Sequence, residues 1–178
     1  MQTGTYKTAP HTPAHLFQED ALYMITASTY QKQPYINSNE RKTQWRDAFF
    51  KACELYHWHI IAWVVLINHY HVILRSPEQN ATNLPKLIAS LHKFTARRWN
   101  IEDNKSGRKI WWNYWDTCLR TERDFETRLR YIFWNPVKHG LVSRPENYQF
   151  SNYQDFLRME IDLAPFDPSI EVKDVSEY

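Results

Sequence analysis

Cysteine, glycine and long apolar runs are all scarce in this chain. Only two of its 178 residues are cysteine, Cys53 and Cys118, which is too few for a disulfide framework. Neither belongs to a Cys-x-x-Cys pair of the kind that holds zinc or cycles redox state. No apolar stretch approaches the length of a membrane span, and the opening MQTGTYKTAPHTP lacks the apolar stretch of a signal peptide. With only three glycines, and 43% hydrophobic and 16% aromatic residues, the composition argues against a largely disordered chain. The expectation is a cytoplasmic protein with one compact domain and a few peripheral segments.

The formal net charge of +2 conceals a strong asymmetry. Residues 81–144 hold thirteen Lys/Arg against six Asp/Glu, whereas residues 145–178 hold two against eight. A basic centre followed by an acidic tail fits a nucleic-acid partner for the middle of the chain, although a solvated helix face carries such charges too. Three divisions follow: an N-terminal arm over 1–20, a domain over 21–144 and an acidic extension over 145–178.

The first twenty residues read as an extended arm. Residues 21–30 read as a strand, and the segment from Ser38 to His57 as a helix with Trp45, Phe49 and Ala52 on its apolar side. WHIIAWVVLI (58–67) and HYHVILRS (69–76) follow so closely that they must pair as an antiparallel hairpin. A second helix from Asn83 carries Leu84, Leu87, Ile88 and Leu91 inward and Lys86, Lys93, Arg97 and Arg98 outward. The aromatic run 110–119 is a further strand. Thr121 and Asp124 then set up the start of a third helix, expected to run until Pro136. A short helical turn is expected around YQDFLRM in the tail. Strand, helix, strand, strand, helix, strand is the ferredoxin-like βαββαβ order, an α+β core with an antiparallel sheet and helices on one side. The third helix is an addition at its C-terminal end.

Within INHYHVILRS, His69 and His71 lie two residues apart in a strand and so leave the same face. Paired imidazoles on one face suit a metal ion that takes a third ligand from elsewhere. The alternative is a pair of hydrogen-bonded surface histidines, the reading adopted for His57 and His59, which share the spacing. On the third helix the apolar stripe of Phe125, Leu129, Ile132 and Phe133 is expected to face the sheet. Tyr131 and Asn135, four apart, are expected to stack on a flank away from it, with Arg128 on that side. A phenol beside metal ligands is a nucleophile suited to an activated phosphorus centre.

These segments resemble the REP-associated tyrosine transposases, relatives of the IS200/IS605-type single-strand transposases among the HUH endonucleases. The resemblance rests on AWVVLINHYHVILRS, WWNYWDTCLR and YIFWNPVKHGLV and covers roughly residues 20 to 150. Tyr70 takes the place of the usual aliphatic residue between the histidines. The resemblance implies a ferredoxin-like fold, Tyr131 as nucleophile, and Mg²⁺ or Mn²⁺ on His69, His71 and Asn135. It implies a single-stranded or hairpin DNA partner, and Lys86, Lys93, Arg97, Arg98 and Arg128 are the candidate DNA contacts. It also implies a bacterial cytoplasmic protein, nucleoid-associated when bound to DNA. The expected activity is cleavage and rejoining of repeat DNA through a 5′-phosphotyrosine link. Rival readings are a non-catalytic DNA-binding protein of this fold and a phosphodiesterase that uses water. The family includes helix-swapping dimers and monomers; the long acidic tail favours a monomer.

Overall fold

The computed structural model describes residues 5–7 and 15–159. Two short strands, β1 (Thr5–Lys7) and β2 (His15–Phe17), pair antiparallel, so the arm expected to be extended contributes a small ribbon. Phe17 anchors the ribbon by entering the core. The core then runs β3 (Leu22–Thr29), α1 (Asn39–Tyr56), β4 (His59–Val65), β5 (His69–Arg75), α2 (Leu84–Glu102) and β6 (Trp111–Leu119). The additional helix α3 (Glu122–Lys138) and the short α4 (Tyr153–Arg158) follow.

The sheet order is β4-β5-β3-β6 with every pairing antiparallel, the ferredoxin-like arrangement. Side-chain caps start two of the three long helices where the pattern placed them. Ser38 Oγ accepts from Arg41 N at 3.2 Å to open α1, and Thr121 Oγ1 accepts from Asp124 N at 3.0 Å to open α3. Asn83 precedes α2 but does not cap it with its side chain. Its Oδ1 instead accepts from Trp58 Nε1 at 2.6 Å, which locks the helix start to the strand opposite.

Alternation along β5 divides the layers. Tyr70 points at α1 and α2, with Trp45 at 4.8 Å between ring centroids and a hydrogen bond to His92 Nε2 at 3.0 Å. His69 and His71 point to the opposite face, where α3 lies. The helices therefore do not all share one side. The βαββαβ core buries one face beneath α1 and α2, and α3 covers part of the other.

Pro136 does not stop α3. It lies in the last turn, and the helix closes beyond it with Leu141 N donating to Pro136 O and Gly140 N to Val137 O, both at 2.9 Å. This double closure needs a left-handed residue, which Gly140 supplies at φ +67. The flank expected to be exposed is also buried: Arg128, Tyr131 and Asn135 lie inside together with Leu129, Ile132 and Phe133.

The change at residue 145 is a change of charge and not of packing. Tyr148, Phe150, Tyr153 and Phe156 are buried, and Asn152 grips the β4 edge by accepting from Trp63 N (2.8 Å) and donating to Ile61 O (2.9 Å). Residues up to Arg158 thus complete the domain, with the short helix near its expected place. The remainder of the acidic extension, 160–178, lies outside the described residues, as do 1–4 and 8–14 of the arm.

Candidate metal and nucleophile site

The β4–β5 hairpin and the C-terminal half of α3 bring His69, His71, Tyr131 and Asn135 together. His69 Nε2 is 3.1 Å from Asn135 Oδ1, the His69 and His71 rings are 5.1 Å apart, and Tyr131 meets His71 edge-on at 5.1 Å. Two strand positions and two helix positions thus share one site, although 60 or more residues separate them in sequence.

Hydrogen bonds at the back of each imidazole determine which nitrogen faces the site. Asn68 Nδ2 donates to Lys32 O at 3.0 Å, which turns its Oδ1 towards His69 Nδ1 at 2.7 Å. In the tautomer that carries its proton on Nδ1, Nε2 presents its lone pair towards Asn135. Thr26 Oγ1 makes a similar hydrogen bond to the back of the His71 ring, 2.8 Å from Nδ1. His71 Nε2 is buried and has no hydrogen-bond partner, and neither has Asn135 Nδ2.

A buried imidazole nitrogen without a partner is costly in an ordinary fold. Beside it, His69 Nε2 and Asn135 Oδ1 are in hydrogen-bond contact at 3.1 Å. A divalent cation between these atoms would satisfy all three, so the donor set fits a metal. Among the described residues no group of three His, Cys, Asp or Glu side chains is placed to hold one, so the third donor has to be the amide. Burial, reinforced by the neighbouring Lys138 ammonium, holds His71 well below the ordinary imidazole range and keeps it neutral, as a ligand must be.

Two neighbours were not anticipated from sequence. His139 sits 4.9 Å from His69, ring to ring, and the Lys138 ammonium lies 5.5 Å from the Tyr131 ring. Their spacing of three and four residues after Asn135 in NPVKHG was the available signal, obscured by the expectation that the helix ended at Pro136. Thr26 and Asn68 were missed because their role depends on strand pairing: Thr26 is opposite His71 in the β3–β5 register.

The candidate DNA contacts divide differently. Lys86, Lys93, Arg97 and Arg98 are exposed on α2, on the far side of the sheet from the histidines, and Arg98 is paired to Glu102 at 3.0 Å. Arg128 does not belong to that surface. It is buried one turn before Tyr131, with Nη1 3.6 Å from Met24 Sδ. His57 and His59 lie at the α1–β4 junction and do not join the site.

The sequence model of the family described as "Transposase IS200 like" matches residues 18–132, more than half of the chain. A REP-associated tyrosine transposase of Escherichia coli K12 is 32% identical over 120 residues, 66% of each protein. A candidate REP-associated tyrosine transposase of Haemophilus influenzae is 26% identical over 158 residues, 82% of this chain and 86% of that protein. Among solved structures, a REP-associated tyrosine transposase bound to a REP hairpin superposes with a TM-score of 0.70 at 23% identity, covering 90% of this chain and 92% of that one. At that identity the superposition bears on the fold, and it agrees with the four-stranded antiparallel sheet and its helices. The family match extends through the strand bearing the histidines and reaches Tyr131 on α3, and the chain accordingly belongs to the IS200-like transposases, enzymes of the HUH tyrosine transposase and endonuclease class.

Proposed function

We propose that this transposase cuts and rejoins single-stranded DNA with Tyr131 as nucleophile and a divalent metal held by His69, His71 and Asn135. The observation that carries this reading is the convergence of two imidazole Nε2 atoms and one amide oxygen beside a tyrosine ring. Mg²⁺ or Mn²⁺ bound there would supply positive charge to a phosphodiester. Tyr131 Oη forms the new bond to phosphorus as the bond to the 3′ oxygen breaks. The phenol gives up its proton, the 3′ oxygen takes one up, and a 5′-phosphotyrosine and a 3′-hydroxyl result. Reversal by another 3′-hydroxyl rejoins the strands without a nucleotide cofactor. Thr26 and Asn68 hold the imidazoles in the ligand tautomer, and Lys138 adds cationic charge on the nucleophile's side of the site. Hairpin-bearing repeat DNA is the proposed substrate, supported by the relative bound to such a hairpin.

Tyr148 and Tyr114 are poor alternatives. Tyr148 Oη donates to Val65 O at 2.7 Å, and Tyr114 sits on β6, where burial raises its pKa.

Hairpin oligonucleotides labelled at either end, incubated with Mn²⁺ and run on denaturing gels, test the reading. A covalent adduct carrying the 3′ portion of the DNA is expected with the wild type. Tyr131→Phe should form none while keeping DNA affinity and melting temperature. Adduct in that variant moves the nucleophile elsewhere, and cleavage without any adduct favours water as the attacking group.

A further inference from the structure

A second cluster lies at the His69 end of the sheet and takes no part in the chemistry above. Trp112 is 41% exposed, and its ring centroid lies 5.5 Å from that of Tyr30. The Lys109 ammonium stands 4.0 Å from the Trp112 centroid and 4.9 Å from the Tyr30 centroid. Among the described residues no carboxylate pairs with Lys109. Its neighbour Arg108 differs: it lies over Tyr35 but is tied to Asp103 at 2.6 Å.

The backbone is shaped to present this cluster. Between Ala27 and Thr29 strand β3 advances two residues, while β6 advances three, from Tyr114 to Trp111. Beside the bulge Trp111 stacks on His92 at 4.4 Å, and Trp112 is left exposed. Gln31 and Lys32, next to Tyr30, both adopt left-handed backbone at φ 53, a strained conformation for side-chain-bearing residues. Asn68 holds this turn through Lys32 O, and its backbone oxygen accepts from Thr29 N at 2.8 Å. The same asparagine orients His69, so one residue couples the aromatic pair to a candidate metal ligand.

We propose that Tyr30, Lys109 and Trp112 form a cradle for the unpaired DNA strand flanking a hairpin, with a nucleobase on the aromatic faces and a phosphate at Lys109. The inference rests on the DNA reading above and names where the strand enters. An exposed aromatic face accepts any base, and a cation without an acidic partner is left for the backbone of a polyanion. The cradle lies at the end of the sheet next to Asn68 and His69, whereas the basic side of α2 lies across the sheet from them.

Fluorescence anisotropy with three labelled hairpins tests it: one blunt, one with a short unpaired tail, and one whose tail is abasic. Trp112→Ala should bind the tailed hairpin roughly ten- to a hundredfold more weakly than wild type and the blunt hairpin equally well. Trp112→Phe should retain most of the affinity. Wild type should bind the abasic tail about as weakly as Trp112→Ala binds the natural one, and the comparison of natural with abasic tails on wild type holds even if the alanine variant folds poorly. Lys109→Ala should reduce the salt dependence by about one ion. Wild type that binds natural and abasic tails equally rejects the cradle and leaves the DNA reading standing. Wild type that binds no hairpin rejects both.

Discussion

Thr26 and Asn68 contact no proposed substrate, yet each hydrogen-bonds the back of a histidine proposed as a ligand. Thr26→Val keeps the branched shape suited to a strand and removes only the oxygen that bonds His71. Its affinity for Mn²⁺, followed by calorimetry, should fall roughly 10- to 100-fold with little loss of fold. On the other face, burial pulls His92 down to about 3, and the histidine stays neutral against Tyr70 Oη. A histidine depressed in the fold binds its proton more readily when the chain unfolds. Its stabilising contribution is complete above the unfolded value near 6.5 and is lost as pH falls toward 3. The slope from one such group reaches about 1.4 kcal/mol per pH unit. His71, depressed by burial as well, acts with the same sign. His92→Gln should therefore remove part of the acid sensitivity in urea unfolding between about pH 6 and pH 4 and leave the share due to His71.

Element by element, α3 bears most on the proposed function because it carries both Tyr131, the proposed nucleophile, and Asn135, the proposed amide ligand. Its start was legible: the Thr121 cap with Asp124 three residues later is a local signal, and the structure forms it. Thr121→Ala should cost about 1 kcal/mol, lowering the melting temperature by about 2–4 °C in a domain of this size. Its end was not legible, because a proline usually terminates a helix by removing a donor. Here Pro136 occupies the final turn, where the Gly140 closure takes over the carbonyls beyond it. The four-residue step from Tyr131 to Asn135 placed the two side chains together, but the pattern misjudged their surroundings. Periodicity identifies a stripe; the width of the buried face depends on what the helix packs against, and α3 packs against three strands.

In the whole molecule, one chain contributes every part of the proposed site, since α3 folds back over its own sheet. A mixture of Tyr131→Phe and His71→Ala proteins should therefore form no covalent adduct. Restored adduct would mean that α3 is exchanged between two copies, which denaturing gels read directly. The sheet also separates the site from the basic side of α2. Lys93→Ala combined with Arg97→Ala should leave adduct yield on a short hairpin unchanged, and any loss of affinity should appear only with longer DNA that reaches around the domain.

By itself the sequence determined the elements, their order and the pairing of His69 with His71, because strand period, helix period, caps and short hairpin links are local properties of the chain. Spacing placed Tyr131 and Asn135 on one flank of a helix, and the family resemblance assigned their expected roles. Which face each helix covers was decided only by tertiary structure. The choice depends on burying both sides of one sheet at once, with Tyr70 and Trp45 on one side and Ile132 and Phe133 on the other. The orientation of each imidazole, the place of His139 and Lys138, and the outward turn of Trp112 were decided there as well, since each rests on strand register or on a bulge between residues far apart in sequence. The domain's C-terminal limit was settled in the same way: charge changes sharply at residue 145, but Asn152 and the aromatic residues around it have hydrogen bonds and apolar surface to satisfy, and they do so against β4.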